Sequence, residues 1–497
     1  MVVSQKNLWL IAFGICLILF GAISYCIWPT LFLSQIKKMM TLTNSSTSFS
    51  IWKDIPIPMY LECFLFNITN VDDILAGKNV SIHVQEMGPY VFQEIRKKVN
   101  ITWNSNGTVT FRNQRWWYYQ PERTNGSLSD MVTTINPIVV TIAYALRHDR
   151  LMLRMFVDMV MRMSHKNIFL TANATSWLFD GIEDPVLNFA SQIPNLPYNI
   201  PFDKFGWLYT RNGSTDFDGV FVSNTGENDF FKLGELQKWQ HTNRTLYRDK
   251  CGELKGSTGE LWAPQRGLEE LHIFAPDICT HMTLTANGTV SHMGLEGKQF
   301  IANDSLFDNG HKYPEMACYC DEPRDNNCPP AGAFNVSACR FGAPAFVTRP
   351  HFLGLEPYYP NKIRGLNPTE NHNFKMAIEM NTGMPLSISA QLQANALVRR
   401  IPGMSLNNQL PDPDTLVPMF WFREEVLVNE EYVNFAKSAL SAKFDIPYAF
   451  YASIVIGSTL LAVGLWSRKR SRCQISKSKP RDFDPAVTQT FLKKDPR

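Results

Sequence analysis

Two long apolar segments bracket this chain of 497 residues and constrain its fold more than any other feature. They run from Leu8 to Trp28 and from Pro447 to Trp466, and neither contains Asp, Glu, Lys or Arg. An α-helix rises about 1.5 Å per residue and the hydrocarbon core of a bilayer is about 30 Å thick, so roughly 20 apolar residues suffice for one crossing. The chain is therefore expected to cross a membrane twice, with a very large loop between the spans.

The first apolar segment is too long for the core of a signal peptide. Leu31, Phe32 and Leu33 follow it, and then Lys37 and Lys38, instead of the small residues of a cleavage site. We therefore predict five parts of the chain. They are an amino-terminal cytoplasmic tail at 1–7, a first transmembrane helix at 8–30, a glycosylated and disulfide-bonded ectodomain at 31–444, a second transmembrane helix at 445–467 and a cytoplasmic tail at 468–497.

Charge and glycosylation sequons indicate on which side the loop lies. Arg468, Lys469, Arg470 and Arg472 follow the second span, and such a basic cluster favours the cytoplasmic side. Chance predicts about four or five Asn-x-Ser/Thr triplets in a chain of this composition. The sequence has twelve, all between the spans, at Asn44, Asn67, Asn79, Asn100, Asn106, Asn125, Asn173, Asn212, Asn243, Asn287, Asn303 and Asn335. The loop is expected to be extracellular or lumenal, and the protein to lie in the plasma membrane, with an endosomal or lysosomal membrane as the alternative.

Cysteine usage agrees with an oxidising compartment. Six of the ten Cys cluster between Cys251 and Cys339, where disulfides are expected. Spacing alone leaves 15 pairings for six cysteines. Cys320 and Cys328 close a short loop that could bridge locally, and a zinc site at Cys318 and Cys320 is the competing interpretation. Cys63 is left over, either as a small buried residue or as a link to a second chain.

Composition and hydrophobic patterning favour a mostly β ectodomain. A net charge of +3 points to neither nucleic acid nor a bulk acidic partner, and 45% apolar residues can fill a large core. Apolar residues alternate at Val80 to Val84 and at Val99 to Trp103, and Asn106-Gly107 predicts a hairpin turn into Val109 and Phe111.

The segment from Ile138 to Met163 has no Gly or Pro and predicts a basic amphipathic helix. One face carries Met152, Met155, Phe156, Met159, Val160 and Met163. The other face carries Arg150, Arg154, Asp158 and Arg162, with His165 and Lys166 just beyond. Two interpretations stay open: a solvated charged face over an ordinary core stripe, in which Asp158 pairs with both flanking arginines, or a docking surface for anionic ligands above adaptable Met side chains.

Several strings along the whole chain resemble the class B scavenger receptor family, and most closely its insect croquemort branch. They include Glu86-Met87-Gly88-Pro89-Tyr90-Val91-Phe92, Phe205-Gly206-Trp207, Cys318-Tyr319-Cys320, Cys328-Pro329-Pro330, Pro350-His351-Phe352-Leu353, Gly365-Leu366-Asn367-Pro368 and Pro418-Met419-Phe420-Trp421-Phe422. The resemblance implies two transmembrane helices flanking a large α+β ectodomain. This ectodomain would be an irregular antiparallel β-barrel with an apical helical bundle and an apolar tunnel leading toward the membrane.

The resemblance also implies specific sites. Its disulfides would join Cys251 to Cys318, Cys279 to Cys339 and Cys320 to Cys328, leaving Cys63 free. Palmitoylation, common in relatives, could occur here at Cys473 beside the basic cluster; an unmodified thiol is the alternative. Thr280, Met380 and Gln391 depart from the family pattern and leave the ligand open.

We therefore predict a cell-surface receptor without a cofactor. It would bind lipids (fatty acids, sterols, phospholipids or carotenoids), lipoproteins, or anionic apoptotic-cell or microbial surfaces, and pass lipid through the ectodomain to the membrane; self-association is left open. An apical cationic patch is expected to consist of Arg150, Arg154, Arg162, His165 and Lys166. A weaker candidate for holding a carboxylate is Arg340.

Three other functions remain as alternatives or are disfavoured. A protein-cargo sorting or adhesion receptor is the main alternative, and a two-span ion channel subunit is remote because no acidic or amide residue lines either span. Catalytic motifs such as G-x-S-x-G and H-E-x-x-H are missing, so an enzyme is not expected. The scattered His residues do not predict a metal site.

Overall fold

The computed structural model describes residues 2–78, 80–190, 202–265, 267–320, 328, 330–412 and 414–477. Two compact units divide the chain, one formed by Met1–Gln35 with Ser438–Arg497 and the other by Ile36–Lys437. The helices are α1 (Val2–Met40), α2 (Thr47–Lys53), α3 (Val71–Leu75), α4 (Pro137–Ala145), α5 (Leu151–Ser164), α6 (Pro185–Ala190), α7 (Glu430–Phe444) and α8 (Ile446–Lys477).

The terminal unit contains two helices that are long and apolar enough to span a membrane. Helix α1 begins before and ends well after the predicted span at 8–30, and α8 continues to Lys477, past the predicted boundary at 467. The two helices approach closely at glycines, since a Cβ on Gly14 would lie 2.7 Å from the backbone oxygen of Gly457. Small residues at such contacts are typical of packed membrane helices.

The larger unit is rich in β-structure. Its strands are β1 (Met59–Ile68), β2 (Ile82–Asn104), β3 (Thr108–Tyr119), β4 (Met131–Ile135), β5 (Phe169–Asn173), β6 (Ile182–Glu183), β7 (Lys204–Phe205), β8 (Val220–Asn224), β9 (Leu236–Trp239), β10 (Glu270–Ala275), β11 (Thr280–His292), β12 (Leu295–Ala302), β13 (Phe334–Asn335), β14 (Ala345–Thr348), β15 (Ile363–Arg364), β16 (Lys375–Glu379), β17 (Met384–Arg399) and β18 (Asp414–Leu427).

One sheet of 14 strands dominates this unit, in the order β10-β11-β12-β16-β17-β18-β1-β2-β3-β8-β9, with β14 joining β17 and β13, and β15 joining β2. The hairpin predicted at Asn106-Gly107 is confirmed, because β2 and β3 pair on either side of it with Asn104 opposite Thr108. All pairings along the main path are antiparallel, and β15 alone of the described strands pairs in parallel.

The predicted irregular β-barrel is not confirmed, because the described strands do not form a closed barrel. The end strands β9 and β10 pair only with β8 and β11 on the main path. Between these ends, single bridges join Ser257 to Glu235 and to Ile273. Alternation of inward and outward side chains predicts that a sheet has a buried face, but closure depends on long-range register that no local pattern specifies.

The described residues of the larger unit include a main and a smaller hydrophobic core. The main core lies against the sheet and includes Phe66, Tyr90, Trp177 and Trp421. A smaller core joins α4, α5 and α6 to the segment after β17, through Val139, Val157, Met161, Val186 and Met404 among others. The single helix predicted from Ile138 to Met163 is wrong, because residues 146–150 separate α4 from α5.

Candidate functional site

A largely apolar cavity of about 280 Å³ lies inside the larger unit, between the sheet and α4. Strands β14, β17 and β18 form one side, and α4 with the segment from Phe202 to Tyr209 forms the other. Its apolar lining includes Leu61, Trp117, Ile138, Ile142, Phe205, Trp207, Phe346, Leu392, Ala394, Met419, Phe420 and Phe422. Such a volume is near the lower end of the roughly 300 to 1,000 Å³ typical of small-molecule pockets.

Strand register and aromatic packing shape this cavity. Ala394 of β17 lies opposite Phe420 of β18, so a small side chain stands beside a large one on neighbouring strands. Trp207 stacks on Phe420 with ring centroids 5.3 Å apart, and Phe205 meets Trp207 edge-on at 5.3 Å. Ala394 and the stacked rings of Phe420 and Trp207 therefore all line the cavity, and Ala394 is the smallest of these side chains.

Charged side chains line part of the same cavity. Arg115, Arg211 and Arg340 stand there with Glu94, Asp277 and Glu424. Arg211 lies 2.8 Å from Asp277, and Arg340 lies 3.4 Å from the same Oδ1 atom. Burial would raise the pKa of Asp277, but Arg211 and Arg340 outweigh it and lower that pKa to about 2.

The charged group extends from the cavity along β2. Arg96 bridges Glu94 and Glu424 at 2.6 Å each, and Lys98 donates to Glu260 at 2.6 Å. Burial raises the pKa of Glu424. Burial would also raise the pKa of Glu94, but the neighbouring Arg96 and Arg115 outweigh it and lower that pKa. The Nε of Arg115 is buried and has no hydrogen-bond partner in the described residues.

Arg340, the predicted carboxylate candidate, lies on this cavity. Its guanidinium donates to the backbone oxygen of Asp277 at 2.5 Å. Burial lowers the pKa of Arg340, and Asp277 opposes that effect. An anionic ligand would therefore meet an arginine that is already paired. Whether Arg340 holds a carboxylate stays a prediction.

The residues predicted to form one cationic patch differ in exposure and in their partners. Arg150 is the N-cap of α5, and Lys166 follows its end; both are exposed. Arg154 is half-buried and donates to the backbone oxygen of Arg147. Arg162 pairs with Asp158 at 3.1 Å, and His165 turns inward to Asp184 at 3.1 Å.

Of the two interpretations left open for α5, the structure does not support an ordinary core stripe of Met and Phe side chains. Met152 is 85% exposed and Met163 is 81% exposed, while Met155, Phe156 and Met159 are about half exposed. The residues that pack inward are Val157, Asp158 and Met161. Asp158 accepts hydrogen bonds from the N–H and hydroxyl of Ser405, both at 2.7 Å, so it does not serve only to pair the flanking arginines.

The structure contains the three disulfides that the resemblance implies, Cys251–Cys318, Cys279–Cys339 and Cys320–Cys328. Cys63 is free and fully buried, and burial raises the pKa of its thiol. Cys473 is exposed near the end of α8, and its palmitoylation stays a prediction. No group of three or more potential metal ligands occurs in the described part of the chain.

The predicted glycosylation sites differ in exposure. The exposed sites are Asn44, Asn100, Asn106, Asn125, Asn212, Asn243 and Asn287. The partly buried sites are Asn67, Asn173 and Asn303. Asn335 is 5% exposed and accepts from the N–H of Ser337 at 2.9 Å, which disfavours a glycan there. Asn79 lies outside the described residues.

Sequence reasoning missed the charged group beside the cavity, although one signal was available. Glu94, Arg96 and Lys98 occupy every second position of a strand, so all three side chains point to one face. The opposite face carries Val91, Ile95 and Val99 at every fourth position, so its apolar residues would have favoured that face as the core. The apolar cavity wall had no comparable local signal.

Comparison with known proteins identifies the family. A model described as the CD36 family matches residues 12–467. The chain belongs to the CD36 family. It is 33% identical over 463 residues to the protein peste of Drosophila melanogaster, which covers 92% of this chain and 81% of that protein.

Two further relatives show the breadth of the CD36 family. Scavenger receptor class B member 1 of Mus musculus is 30% identical over 467 residues, covering 93% of this chain and 89% of the relative. Sensory neuron membrane protein 1 of Ostrinia nubilalis is 27% identical over 453 residues, covering 85% of this chain and 82% of the relative. These matches confirm the class B scavenger receptor family predicted from the sequence. The croquemort branch stays a prediction.

Membership and structure together support a receptor that spans a membrane twice. The terminal apolar helices flank a large sheet-rich ectodomain that carries three disulfides. The CD36 family model covers nearly the whole of this arrangement, and relatives bear receptor names. No catalytic family is indicated by these matches.

Proposed function

We propose that this protein is a cell-surface receptor that binds lipids, lipoproteins or anionic cell surfaces and passes lipid through its ectodomain to the membrane. The observation that supports this most is the apolar cavity of about 280 Å³ between the sheet and α4. Removing an acyl chain from water there gains about 0.8 kcal/mol per buried methylene. Transfer onward into a bilayer would then need no nucleotide.

The route from the cavity is part of the proposal. We infer that the sheet curls into an irregular barrel, because Gly256 accepts from Leu236 and Ser257 donates to His272. These bonds link the segments at the two ends of the strand order. A lipid tunnel would run through this barrel and include the cavity. The charged group around Arg115 and Glu94 would stand against the polar end of an amphiphilic ligand.

The helices α4, α5 and α6 would form the apical bundle, and exposed cations would attract anionic particles. Arg150, Arg162 and Lys166 are the exposed members of the predicted patch. Charge reversal of these three should weaken binding of anionic vesicles, most strongly at low salt, with surface expression unchanged. If the charge-reversal variant binds anionic vesicles at low salt as well as the parent does, the patch does not contribute to binding.

The topology is likewise a proposal. The sequons and disulfides support an extracellular ectodomain, cytoplasmic termini and a place in the plasma membrane. Epitope tags at the two ends should be reached by antibody only after permeabilisation of cells, whereas an ectodomain tag should be reached without it. A terminal tag accessible on intact cells would contradict this orientation.

The cavity can be tested by filling it. Ala394→Trp would place a large side chain in the open space beside Phe420 and Trp207, and Ala76→Trp is a control at an exposed position outside the cavity. Cells that express the control should take up a fluorescent fatty acid or sterol as the parent does, while the Ala394 variant should take up several-fold less. Equal uptake at equal surface expression would contradict the cavity route.

A further inference from the structure

An aromatic strip is exposed on the outer face of the β2–β3 hairpin, and the sequon at Asn212 lies at the edge of this strip. We propose that an N-linked glycan on Asn212 packs on the strip and covers it, with its first sugar against the ring of Trp116. This inference rests on the extracellular ectodomain of the proposed function. It commits to the glycan of the same chain as the occupant of this face.

The strip consists of Trp116 and Tyr118 on β3 and Ile95 on β2. Arg115 and Trp117, the alternate residues of β3, line the cavity. Because successive side chains of a strand point to opposite faces, Trp116 and Tyr118 lie on the outer face of the sheet. Ile95 pairs with Trp116 across the two strands. Tyr118 is 52% exposed, Ile95 is 39% exposed and Trp116 is partly buried, so the strip is open to a partner.

Hydrogen bonds hold the backbone of the sequon against β3. The N–H of Gly213 donates to the backbone oxygen of Arg115 at 2.7 Å. The backbone oxygen of Gly213 accepts from the side-chain amide of Gln114 at 2.8 Å. Gln114 lies two residues before Trp116 and therefore shares its face. A Cβ on Gly213 would lie 3.3 Å from Nε1 of Trp116, so the sequon runs directly beside the indole ring.

The side chain of Asn212 is oriented in a way that suits modification. Asn212 is exposed, and its Oδ1 atom accepts from the backbone N–H of Trp117 at 3.1 Å. An N-linked glycan is attached to the other atom of the amide, Nδ2, so this hydrogen bond is compatible with the glycan and fixes its direction. The first sugar would therefore start beside β3, one residue from the position of Trp116.

The chemistry of the strip favours a sugar of the same chain over a separate protein. One face of a pyranose ring presents C–H groups, which pack on the electron-rich face of an aromatic ring such as that of Trp116. A glycan tethered at Asn212 meets the strip at a high effective concentration. The glycan is also bulky, so a protein that approached Tyr118 and Ile95 would have to displace it.

The first test is hydroxyl-radical footprinting of the full-length protein in detergent, with oxidation read at single residues by mass spectrometry. Asn212→Asp removes the glycan but keeps the Oδ1 acceptor for the N–H of Trp117. We expect oxidation of Trp116 and Tyr118 to rise several-fold in this variant, while the buried Trp117 serves as the internal reference. The matched control is Asn243→Asp, which removes an exposed sequon elsewhere and should leave the oxidation of Trp116 as in the parent. Equal oxidation of Trp116 and Tyr118 with and without the Asn212 glycan would overturn the proposal.

A second measurement reads the same contact from the side of the glycan. Trp116→Thr keeps a good strand former at this position but removes the ring. Peptide N-glycosidase should then release the glycan of Asn212 from the folded protein several-fold faster than from the parent, whereas Tyr358→Thr, at an exposed tyrosine elsewhere, should not change the rate. An unchanged rate in Trp116→Thr would overturn the proposal. An unmodified Asn212 with glycans at other sequons would overturn it and leave the receptor function standing, whereas a chain without any glycan would contradict the extracellular ectodomain as well.

Discussion

Helices α4 and α5 are neighbours in sequence and share one small core, yet they meet solvent in opposite ways. Seven of the nine residues of α4 are buried, including the adjacent Val139 and Val140. Only three of the fourteen residues of α5 are buried, and one of them is the charged Asp158. Both helices are rich in large apolar residues, so the difference does not come from composition.

The difference comes from what packs on each helix. Helix α4 lies against β17 and beside the cavity, and α5 and α6 cover part of its remaining surface. Helix α5 has α4, α6 and the 401–406 segment on one side and solvent on the other. Periodicity shows that a helix has an apolar stripe, whereas the neighbouring elements decide whether that stripe is covered. An uncovered stripe is consequently a functional signal.

The largest effect that would test this contrast is expected at Met161, the buried methionine of α5. Met161→Ala should lower the free energy of unfolding by about 2 to 5 kcal/mol, because it leaves a cavity in the shared core. Urea denaturation of the full-length protein in detergent measures this. Met161→Leu keeps the volume and should cost less than about 1.5 kcal/mol. A small effect of the Ala variant would mean that α5 is not anchored through this side.

A smaller effect is expected at Asp158. Asp158→Ala removes the acceptor for the backbone N–H and hydroxyl of Ser405 and should cost about 1 to 3 kcal/mol. Asp158→Asn retains one carbonyl acceptor and should lose less. Hydrogen exchange at Ser405 and Leu406, measured by mass spectrometry, should rise in the Ala variant. Unchanged exchange there would contradict the anchoring role.

Acid should loosen the end of α5 through Asp184. Burial would raise the pKa of Asp184, but His165, the N–H of Val186 and Asn136 outweigh it and lower that pKa. The folded state therefore binds fewer protons than the unfolded state, so this stabilisation is complete above the ordinary Asp value of about 3.9 and is lost as the pH falls through the folded pKa. Asp184→Asn should flatten the fall in stability below about pH 4. If the stability of the variant falls equally steeply below about pH 4, other carboxyl groups cause the loss of stability in acid.

The smallest effect is expected at Met152, on the outward side. Met152→Ala should change the free energy of unfolding by less than about 0.5 kcal/mol, because the side chain is 85% exposed. The same denaturation series as for Met161 provides the measurement. A loss comparable with that of Met161→Ala would show that the outward face is covered in the folded protein and would remove the contrast between the two sides.

Much of this architecture could be predicted from sequence because its signals are local. The charge-free runs beginning at Leu8 and Pro447 predict the two terminal helices, and Asn106-Gly107 predicts the β2–β3 hairpin. The family resemblance supplied the cysteine pairing, which spacing left among 15 alternatives. Each of these features depends on neighbouring residues or on a motif.

The features that could not be predicted depend on contacts distant in sequence. Asp158 is fixed by Ser405, and Ala394 contributes to the cavity because Phe420 and Trp207 meet beside it. The break between α4 and α5 has no Gly or Pro to mark it. Arg154 and His165 fit a cationic face by spacing, but spacing does not show that Arg154 contacts the backbone oxygen of Arg147 or that His165 pairs with Asp184.

We expect the cavity between the sheet and α4 to hold lipid. The most direct measurement is mass analysis of lipid extracted from purified full-length protein after exhaustive detergent washing, for the parent, Ala394→Trp and Ala76→Trp. We expect a fatty acid, sterol or phospholipid to be retained by the parent and by the Ala76 variant, and to be strongly depleted in the Ala394 variant. Equal lipid content in a folded Ala394 variant, or none in the parent after incubation with lipid, would contradict the claim.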